Sequence, residues 1–532
     1  MRSATMPTVL IADKMSARAV EIFHERGIAV EVKTGLGKEA LCAIIGQYDG
    51  LAIRSATNVD ADVLAAASRL KVVGRAGIGV DNVDIHAASK RGVIVMNTPY
   101  GNTVTTAEHA IALMMAAARM IPQATMSLKA GQWEKSRFQG VELYQKTLGV
   151  IGTGNIGSLV IARAQGLGMR VIAYDPYLSK IRAADLGVEL VEMDTLLARA
   201  DFLTVHTPLT DATRNLFRAE TFAKMKPGAI LVNAARGCIV DEAALYDALK
   251  SGHLRAAALD VFCKEPVHGD NPLLELDNFI CTPHLGASTE EAQVNVAIQV
   301  AEQISAYLLR GVVQNAVNLP SVKEEELLLL QPYLNLGERL GLVLGQLAGS
   351  GLREVVIEYA GEVAELNTAA LTTAILKGIL QSALPETINA VNAPVLAKER
   401  GIGIETRKRE SADELRARIA VTLRMDQGER VAVGTLVHEH QARLVQLDGI
   451  DVEMPLAGDL LYIQNRDEPG LIGRIGGLLG AAGINIAQFH LGREKPAGAA
   501  LSFIAVDQPL TEVLLEQVAT LPGVLAARML RL

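Results

Sequence analysis

The 532-residue sequence is short of aromatics, which make up 4% of it and include one Trp, Trp133. So few rings argue against a β-sandwich built on aromatic layers, and for helices packed on parallel strands. Cysteine is scarcer still. The four thiols, Cys42, Cys238, Cys263 and Cys281, form no CxxC pair. That excludes a disulfide scaffold and a zinc-finger site, and predicts separate thiols acting as small buried hydrophobes in a reducing cytoplasm. Cationic excess is absent: 51 Lys+Arg stand against 59 Asp+Glu, a net charge of −8. No broad nucleic-acid-binding footprint is expected. Uncharged apolar runs of the ~18 residues that a membrane span requires are also lacking. The most hydrophobic segment, Ala107–Met120, carries Glu108, His109 and Arg119, and the first apolar stretch, Val9–Ala12, stops at Asp13 and Lys14. Neither a membrane anchor nor a secretory leader is expected, and the protein is read as soluble.

What the sequence does contain is hydrophobic residue, 50% of the total, enough for three or four cores at this length. Short apolar runs at 8–12, 29–32, 50–53, 70–74 and 93–97 read as strands, with helical spacing at 16–26 and 60–68 between them. A second alternation starts at Thr147 and continues with strands at 169–174, 202–206, 229–233, 256–260 and 279–282. The fold class expected is therefore α/β, with two doubly wound parallel sheets bridged by a helix at 103–121. A helix over 290–310 follows. Residues 321–455 mix helices with strands such as 354–359 and 443–447. From about Asp459 the order is strand, helix, two strands, helix, strand, a ferredoxin-like α+β unit.

Gly152, Gly154 and Gly157 form G-x-G-x-x-G between a strand and a helix, with Asp175 about 20 residues on at the end of the next strand. The first glycine permits the tight turn, the second lets a pyrophosphate approach the backbone, and the third lets helix and strand pack. The helix N-terminus adds free N–H groups. Asp175 would accept hydrogen bonds from a ribose and repel a 2′-phosphate, so NAD is expected over NADP. Arg236, Glu265 and His284 each follow a strand of this second sheet, at the carboxyl ends where such sheets bind ligands. Oxidising a 2-hydroxy acid needs a base, a group that orients it and a cation for the carboxylate. His284, Glu265 and Arg236 suit those roles.

These motifs, with HTPLT at 206–210, MKPGAILVNAARGCIVDE at 225–242 and TPHLGAST at 282–289, resemble the D-isomer-specific 2-hydroxyacid dehydrogenases. RSATNVD at 54–60 and GRAGIGVDNVD at 74–84 resemble the long-form branch that acts on 3-phosphoglycerate. The resemblance implies two Rossmann-like lobes: a substrate lobe, 1–103 completed by 288–318, and an NAD-binding domain, 104–287. It further implies an intervening allosteric-type domain at 319–455 and an ACT regulatory domain at 456–532. Asn155, Ile156, Thr207, Pro208, Ala234, Ala235, Asp260, Gly286 and Ala287 would line the cofactor cleft with the fingerprint residues, Arg236 and His284. Arg54, Ser55, Arg75, Gly77 and Asn97 would hold the phosphorylated substrate, and Lys135 and Arg137 would reach a neighbouring subunit's site. In the ACT unit, Asn465, Asp467 and Asn485 would meet an amino-acid effector, serine by resemblance. A homotetramer with ACT–ACT pairing is implied, and no metal, nucleic acid or membrane partner. Two alternatives stay open: a glyoxylate or hydroxypyruvate reductase, and an NAD-sensing scaffold of the corepressor kind.

Overall fold

The computed structural model describes residues 6–322, 324–382, 384, 387–412, 414–438 and 440–532. Two parallel sheets come first. Across the first, the strands run Ala29–Val32, Thr8–Ile11, Gly50–Ile53, Val72–Arg75 and Ile94–Asn97. Its four strands from Thr8–Ile11 onward are largely buried on both faces, as parallel sheets require, while the edge strand Ala29–Val32 is partly exposed. One face packs on Leu41, Val63, Leu64 and Ala88. The other packs on Ala19, Ile22 and Phe23 together with Val296, Val300 and Ile304 of the helix Glu290–Arg310. That helix, 21 residues capped by the Thr289 side chain, returns from the second lobe to cover the first. Gly74 shows why it fits: a Cβ there would stand 2.5 Å from Val300 Cγ2 and 2.6 Å from Ile304 Cδ1. Each fully buried Val or Ile in this layer is worth about 1.5–3 kcal/mol.

The second sheet has seven parallel strands in the order Phe279–Cys281, Ala256–Leu259, Ile230–Asn233, Phe202–Val205, Thr147–Ile151, Arg170–Tyr174 and Glu189–Leu190. The last, two residues long, has no periodicity to reveal it in the sequence. The helix expected over 103–121 ends at Arg119. Met120 turns left-handed (φ 53°), and a second helix, Ile121–Lys129, leaves at a bend of 62°. Among the described residues no single helix is long and apolar enough to cross a membrane.

The third sheet is mixed. Gly403–Arg409 pairs parallel with Leu352–Gly361, and the antiparallel strands Ala417–Met425, Gly428–Val437, Gln441–Leu447 and Ile450–Pro455 complete it. The helices Glu324–Leu347 and Thr368–Gln381 lie together against it, with backbones in contact at Gly341, Gly345 and Gly378. The fourth sheet, antiparallel, runs Ile486–Arg493, Ala499–Val506, Asp459–Arg466, Val524–Arg531, the βαββαβ order expected. Leu460, Tyr462, Leu501, Phe503 and Leu530 of this sheet belong to the same buried cluster as Leu340, Leu344, Val421 and Met454 of the preceding unit.

Cysteine is where the expectation of separate thiols fails. Cys238 and Cys263 are joined in a disulfide, while Cys42 is partly exposed and Cys281 exposed. The two bonded residues sit on different strand-end loops, 25 positions apart, and only the parallel sheet makes those loops neighbours.

Candidate active site

The carboxyl ends of both parallel sheets face one cleft. In the first lobe, the loop after Arg75 carries two glycines against which guanidiniums lie. A Cβ on Gly77 (φ +142°) would overlap Arg75 Nη1, and one on Gly79 would overlap Arg236 Nη2. The loop is clamped: Thr98 Oγ1 accepts from the Gly77 amide (2.7 Å), and Asn97 Nδ2 donates to the Ile78 carbonyl (2.6 Å). Asn97 thus shapes the loop. Arg236 reaches across from the second lobe, its Nε donating to Asp81 Oδ2 at 2.9 Å.

Arg75 is held in an unusual state. Its Nε is buried with no hydrogen-bond partner. Burial, reinforced by the neighbouring Arg236 and Arg54 charges and opposed by Asp81 and Asp13, pulls its pKa down to about 10. Arg54 is lowered too, by burial, with Asp13 opposing. Its strand-end turn is pinned by buried Asp13, whose Oδ2 accepts from the Arg54 and Thr57 amides (2.6 and 3.2 Å) and whose Oδ1 accepts from Thr57 Oγ1 (2.7 Å). Ser55 is exposed on the same turn. A cavity of about 620 Å³ opens beside Arg54, lined also by Ser288, Thr289, Glu290, Gln293 and Val294 at the start of the returning helix. Three cations thus converge where an anion of high charge would neutralise them.

In the second lobe, His284 adopts a left-handed backbone (φ 56°), costly for a non-glycine residue. Asp260 over-determines that turn. Its carboxylate, 1% exposed, accepts from the Leu285 amide (2.7 Å) and the Gly286 amide (2.9 Å) and meets His109 Nε2 at 3.1 Å. Its carbonyl accepts from the His284 amide. Asp260, expected to line the cofactor cleft, anchors this turn. Burial pushes its pKa up, but the hydrogen bonds from His109, Thr282 and Leu285 outweigh this, so it stays below the ordinary value. His284 Nδ1 lies 2.7 Å from Glu265 Oε2, and Glu265 Oε1 accepts from the Phe262 amide at 2.9 Å. Burial raises the Glu265 pKa; the His284 and Phe262 hydrogen bonds more than offset it and hold the carboxylate ionised. The imidazole is thereby oriented with Nε2 free of Glu265.

The glycine turn fits a dinucleotide. Gly152 takes φ +86°, a Cβ on Gly157 would overlap the Gly152 carbonyl, and a Cβ on Gly154 would meet nothing within 4 Å. So the first and third glycines are required by the protein's own packing, whereas the open space at the second suits a phosphate. Asn155 and Ile156 begin the helix that follows. Asp175 Oδ2 accepts from the Thr153 amide and hydroxyl (2.8 Å each), and its Oδ1 from the Tyr177 amide (2.9 Å). Among the described residues Thr207 Oγ1 is buried with no hydrogen-bond partner, a polar atom in keeping with a ligand contact. The Pro208 carbonyl accepts from Thr213 Oγ1, Ala234 is buried, the Ala235 amide donates to Asn233 Oδ1, and the Ala287 carbonyl accepts from Gln293 Nε2.

Other expected residues fall elsewhere. Arg137 pairs with Glu134 (2.9 Å) and Asp277 (2.7 Å), outside the arginine cluster, on the short turn Lys135–Arg137 beside exposed Trp133. Asn465 is 3% exposed and bonded inside its sheet to the Arg466 carbonyl and Ser502. Asp467 accepts from Arg493 and the Ala497 amide, and Asn485 donates to Asp507. Asp13, Asp81, Thr289 and Gln293 were not singled out in the sequence. The strand-end position of Asp13, facing RSATNVD across the parallel pair, is the one signal that could have found it.

Comparison with known proteins gives the class first. Residues 111–286 match the NAD-binding domain of the D-isomer-specific 2-hydroxyacid dehydrogenases, residues 329–448 the D-3-phosphoglycerate dehydrogenase intervening domain, and residues 460–523 the ACT domain. The chain is 46% identical to a D-3-phosphoglycerate dehydrogenase of Archaeoglobus fulgidus, over 98% of this chain and 99% of that one. It is 44% identical to another from a Synechocystis species, over 98% and 94%. A solved glyoxylate reductase from Paecilomyes thermophila is 28% identical with a TM-score of 0.55, covering 59% of this chain and 98% of its own. The chain belongs to the D-3-phosphoglycerate dehydrogenase family, and it is an NAD-dependent oxidoreductase.

Proposed function

We propose that the protein oxidises the 2-hydroxyl of 3-phospho-D-glycerate to give 3-phosphohydroxypyruvate, the entry from glycolysis into serine biosynthesis, in the cytoplasm. The observation that carries this reading is the convergence of Arg54, Arg75 and Arg236 on one cleft beside the His284–Glu265 pair. A substrate with a phosphate at one end and a carboxylate at the other matches three cations; an unphosphorylated acid would leave buried Arg75 uncompensated.

Gly152, Gly154, Gly157, Asp175 and Thr207 would hold NAD, which when bound accepts the hydride from the substrate carbon. The rest is the work of this chain. Arg236, exchanging Asp81 for the substrate carboxylate, fixes the acid end in a bidentate fork. Arg54 and Arg75 hold the phosphate. His284 Nε2 takes the hydroxyl proton, and Glu265, bonded at Nδ1, holds the ring's tautomer and stabilises the charge it gains. Lobe closure over the cleft removes water from around these groups.

The functional units fall at 1–103 with 288–318, 104–287, 319–455 and 456–532. Lys135 and Arg137 complete the phosphate pocket of a neighbouring subunit within a tetramer paired through its ACT units. The effector is an amino acid, serine, met by Asn465 and Asp467 at the end of the strand Asp459–Arg466 and by Asn485 before the strand Ile486–Arg493. NADH formation tests the substrate: 3-phosphoglycerate should exceed D-glycerate in kcat/KM by about 10²-fold or more, as loss of a buried ionic partner predicts. Preference for the unphosphorylated acid would assign the protein to the glyoxylate and hydroxypyruvate reductases. Tight NADH binding with no turnover of either would favour the scaffold. The same assay with added serine tests the effector.

A further inference from the structure

The two loops that supply Arg236 and Glu265 are tied to each other. Cys238 lies two residues after Arg236, in the turn Gly237–Ile239, and Cys263 lies two residues before Glu265. Their disulfide spans a Cα–Cα distance of 4.5 Å. The loops also touch through backbone: a Cβ on Gly237 would overlap the carbonyl of Phe262, whose amide donates to Glu265. On one side the Asn215 amide donates to the Cys238 carbonyl (2.8 Å). On the other, Glu242 Oε1 accepts from the Cys263 amide (2.8 Å). The cross-link therefore joins two otherwise well-anchored turns at the point where the carboxylate-binding guanidinium and the histidine's carboxylate partner diverge. Cys263 is exposed, so a small reagent can reach it.

We infer that Cys238 and Cys263 form a reversible thiol–disulfide site that sets the register of the Arg236 loop against the Glu265 loop. The inference rests on the reading of Arg236, Glu265 and His284 as the reaction centre. Oxidation proceeds by exchange with a small-molecule disulfide. The Cys263 thiolate attacks one of its sulfurs, forming a mixed disulfide and releasing one thiolate. The Cys238 thiolate then attacks the Cys263 sulfur, forming the protein disulfide and releasing the second. Two electrons pass from the protein dithiol to the reagent, and the two protein thiol protons end on the two released thiols. A dithiol reductant reverses both steps. Disulfides in reducing compartments are typically transient and redox-sensing, and a bridge between two catalytic loops has the placement for that use. In the dithiol form the loops keep only their non-covalent contacts, so the register of Arg236 against Glu265 is held less tightly and turnover falls.

The full chain, equilibrated with glutathione disulfide or with dithiothreitol, should be alkylated and mapped by mass spectrometry, with amide exchange and turnover measured on both forms. Oxidised protein should alkylate at Cys42 and Cys281 and yield a linked Cys238–Cys263 peptide. Reduction should speed amide exchange in residues 235–240 and 261–265 by about fivefold or more, as expected for freed loops. It should lower kcat with 3-phosphoglycerate by about threefold or more, restored on reoxidation, as displaced catalytic groups require. NADH affinity should change less than kcat, since the glycine turn lies outside the bridged loops and only Ala235 and Arg236 of the cofactor cleft lie within them. Cys238→Ser and Cys263→Ser should behave as the reduced form and ignore reductant, while Cys42→Ser should respond like the parent. Free alkylation of both residues after glutathione disulfide treatment would overturn the site, and unchanged exchange would overturn its control of the loops. A linked peptide and altered exchange without 3-phosphoglycerate turnover in either form would uphold the redox site and overturn the proposed reaction instead.

Discussion

Arg75→Met should make the ligand-free protein more stable while crippling substrate capture. The arginine ends a first-lobe strand, with its Nε unpartnered and two other guanidiniums near enough to repel it. The gap between a free guanidinium and one titrating at about 10 corresponds to roughly 3 kcal/mol against the charged form. Solvent at the cleft mouth reduces what is recoverable to about 1–2 kcal/mol, and methionine keeps the apolar stem. At about 2–4 °C per kcal/mol, the melting of the first lobe should rise by about 2–8 °C without ligand. With ligand the sign reverses. 3-Phosphoglycerate should raise the melting temperature of the parent and leave the variant unmoved, and KM should climb about 10²-fold, the consequence of removing one partner of a buried ionic contact. Differential scanning fluorimetry with and without substrate, alongside initial-rate kinetics, reads both effects. A variant that melts lower without ligand, with KM within threefold of the parent, would refute the claim that Arg75 is stored charge for an anion.

Glu265→Gln removes the charge beside His284 without removing the hydrogen-bonding atom at 2.7 Å. Because the imidazole loses the carboxylate that orients it, kcat should fall and the pH–rate profile should change; an unaltered profile with unaltered kcat would take Glu265 out of the relay. Gly154→Ala should cost about 1 kcal/mol or less in urea unfolding yet weaken NADH binding about tenfold or more. Gly157→Ala, which would drive a Cβ into the Gly152 carbonyl, should cost about 2 kcal/mol or more. Burial beneath the glycine turn holds His206 at about 4 against 6.5 for the free group. The unfolded chain therefore binds the extra proton between those values, so stability is complete above pH 6.5 and drains as pH falls toward 4. Urea midpoints at pH 7 and pH 5 should differ in the parent and differ less in His206→Gln.

The parallel sheets were legible because most of their strands are short apolar runs ended by turn residues; Ala29–Val32 and Gly50–Ile53 fall where those runs predict them. The helix Glu290–Arg310 falls over the bounds expected for it, with the Thr289 side chain capping its start and Gly311 turning left-handed after its end. His284, Glu265 and Arg236 could be picked out because a parallel sheet delivers all its strand ends to one side. What the sequence hid is whatever depends on proximity between distant segments. The Cys238–Cys263 bond needs two adjacent loops, and the Arg236–Asp81 pair needs two lobes to meet. What Asp260 does for its own turn was hidden for a related reason. A carboxylate at a strand end looks the same in the sequence whether it turns outward to a ligand or inward to its own backbone, and here the amides of Leu285 and Gly286 claim it. The left-handed Met120, which splits the long helix, carries no glycine to announce it.

The common core beneath the third and fourth sheets has a mechanical corollary. Tyr462 and Phe503 lie with tilted rings 5.3 Å apart within the same cluster as Leu340 and Leu344, and Gln346 exchanges hydrogen bonds with Arg528 and Arg531, so the two C-terminal units share one packed core. A displacement of the outermost sheet would be carried by that shared packing toward its contacts with the first lobe, which include the Lys90–Glu399 ion pair and the Asn389 contact with Gly92, just before the strand that ends in Asn97.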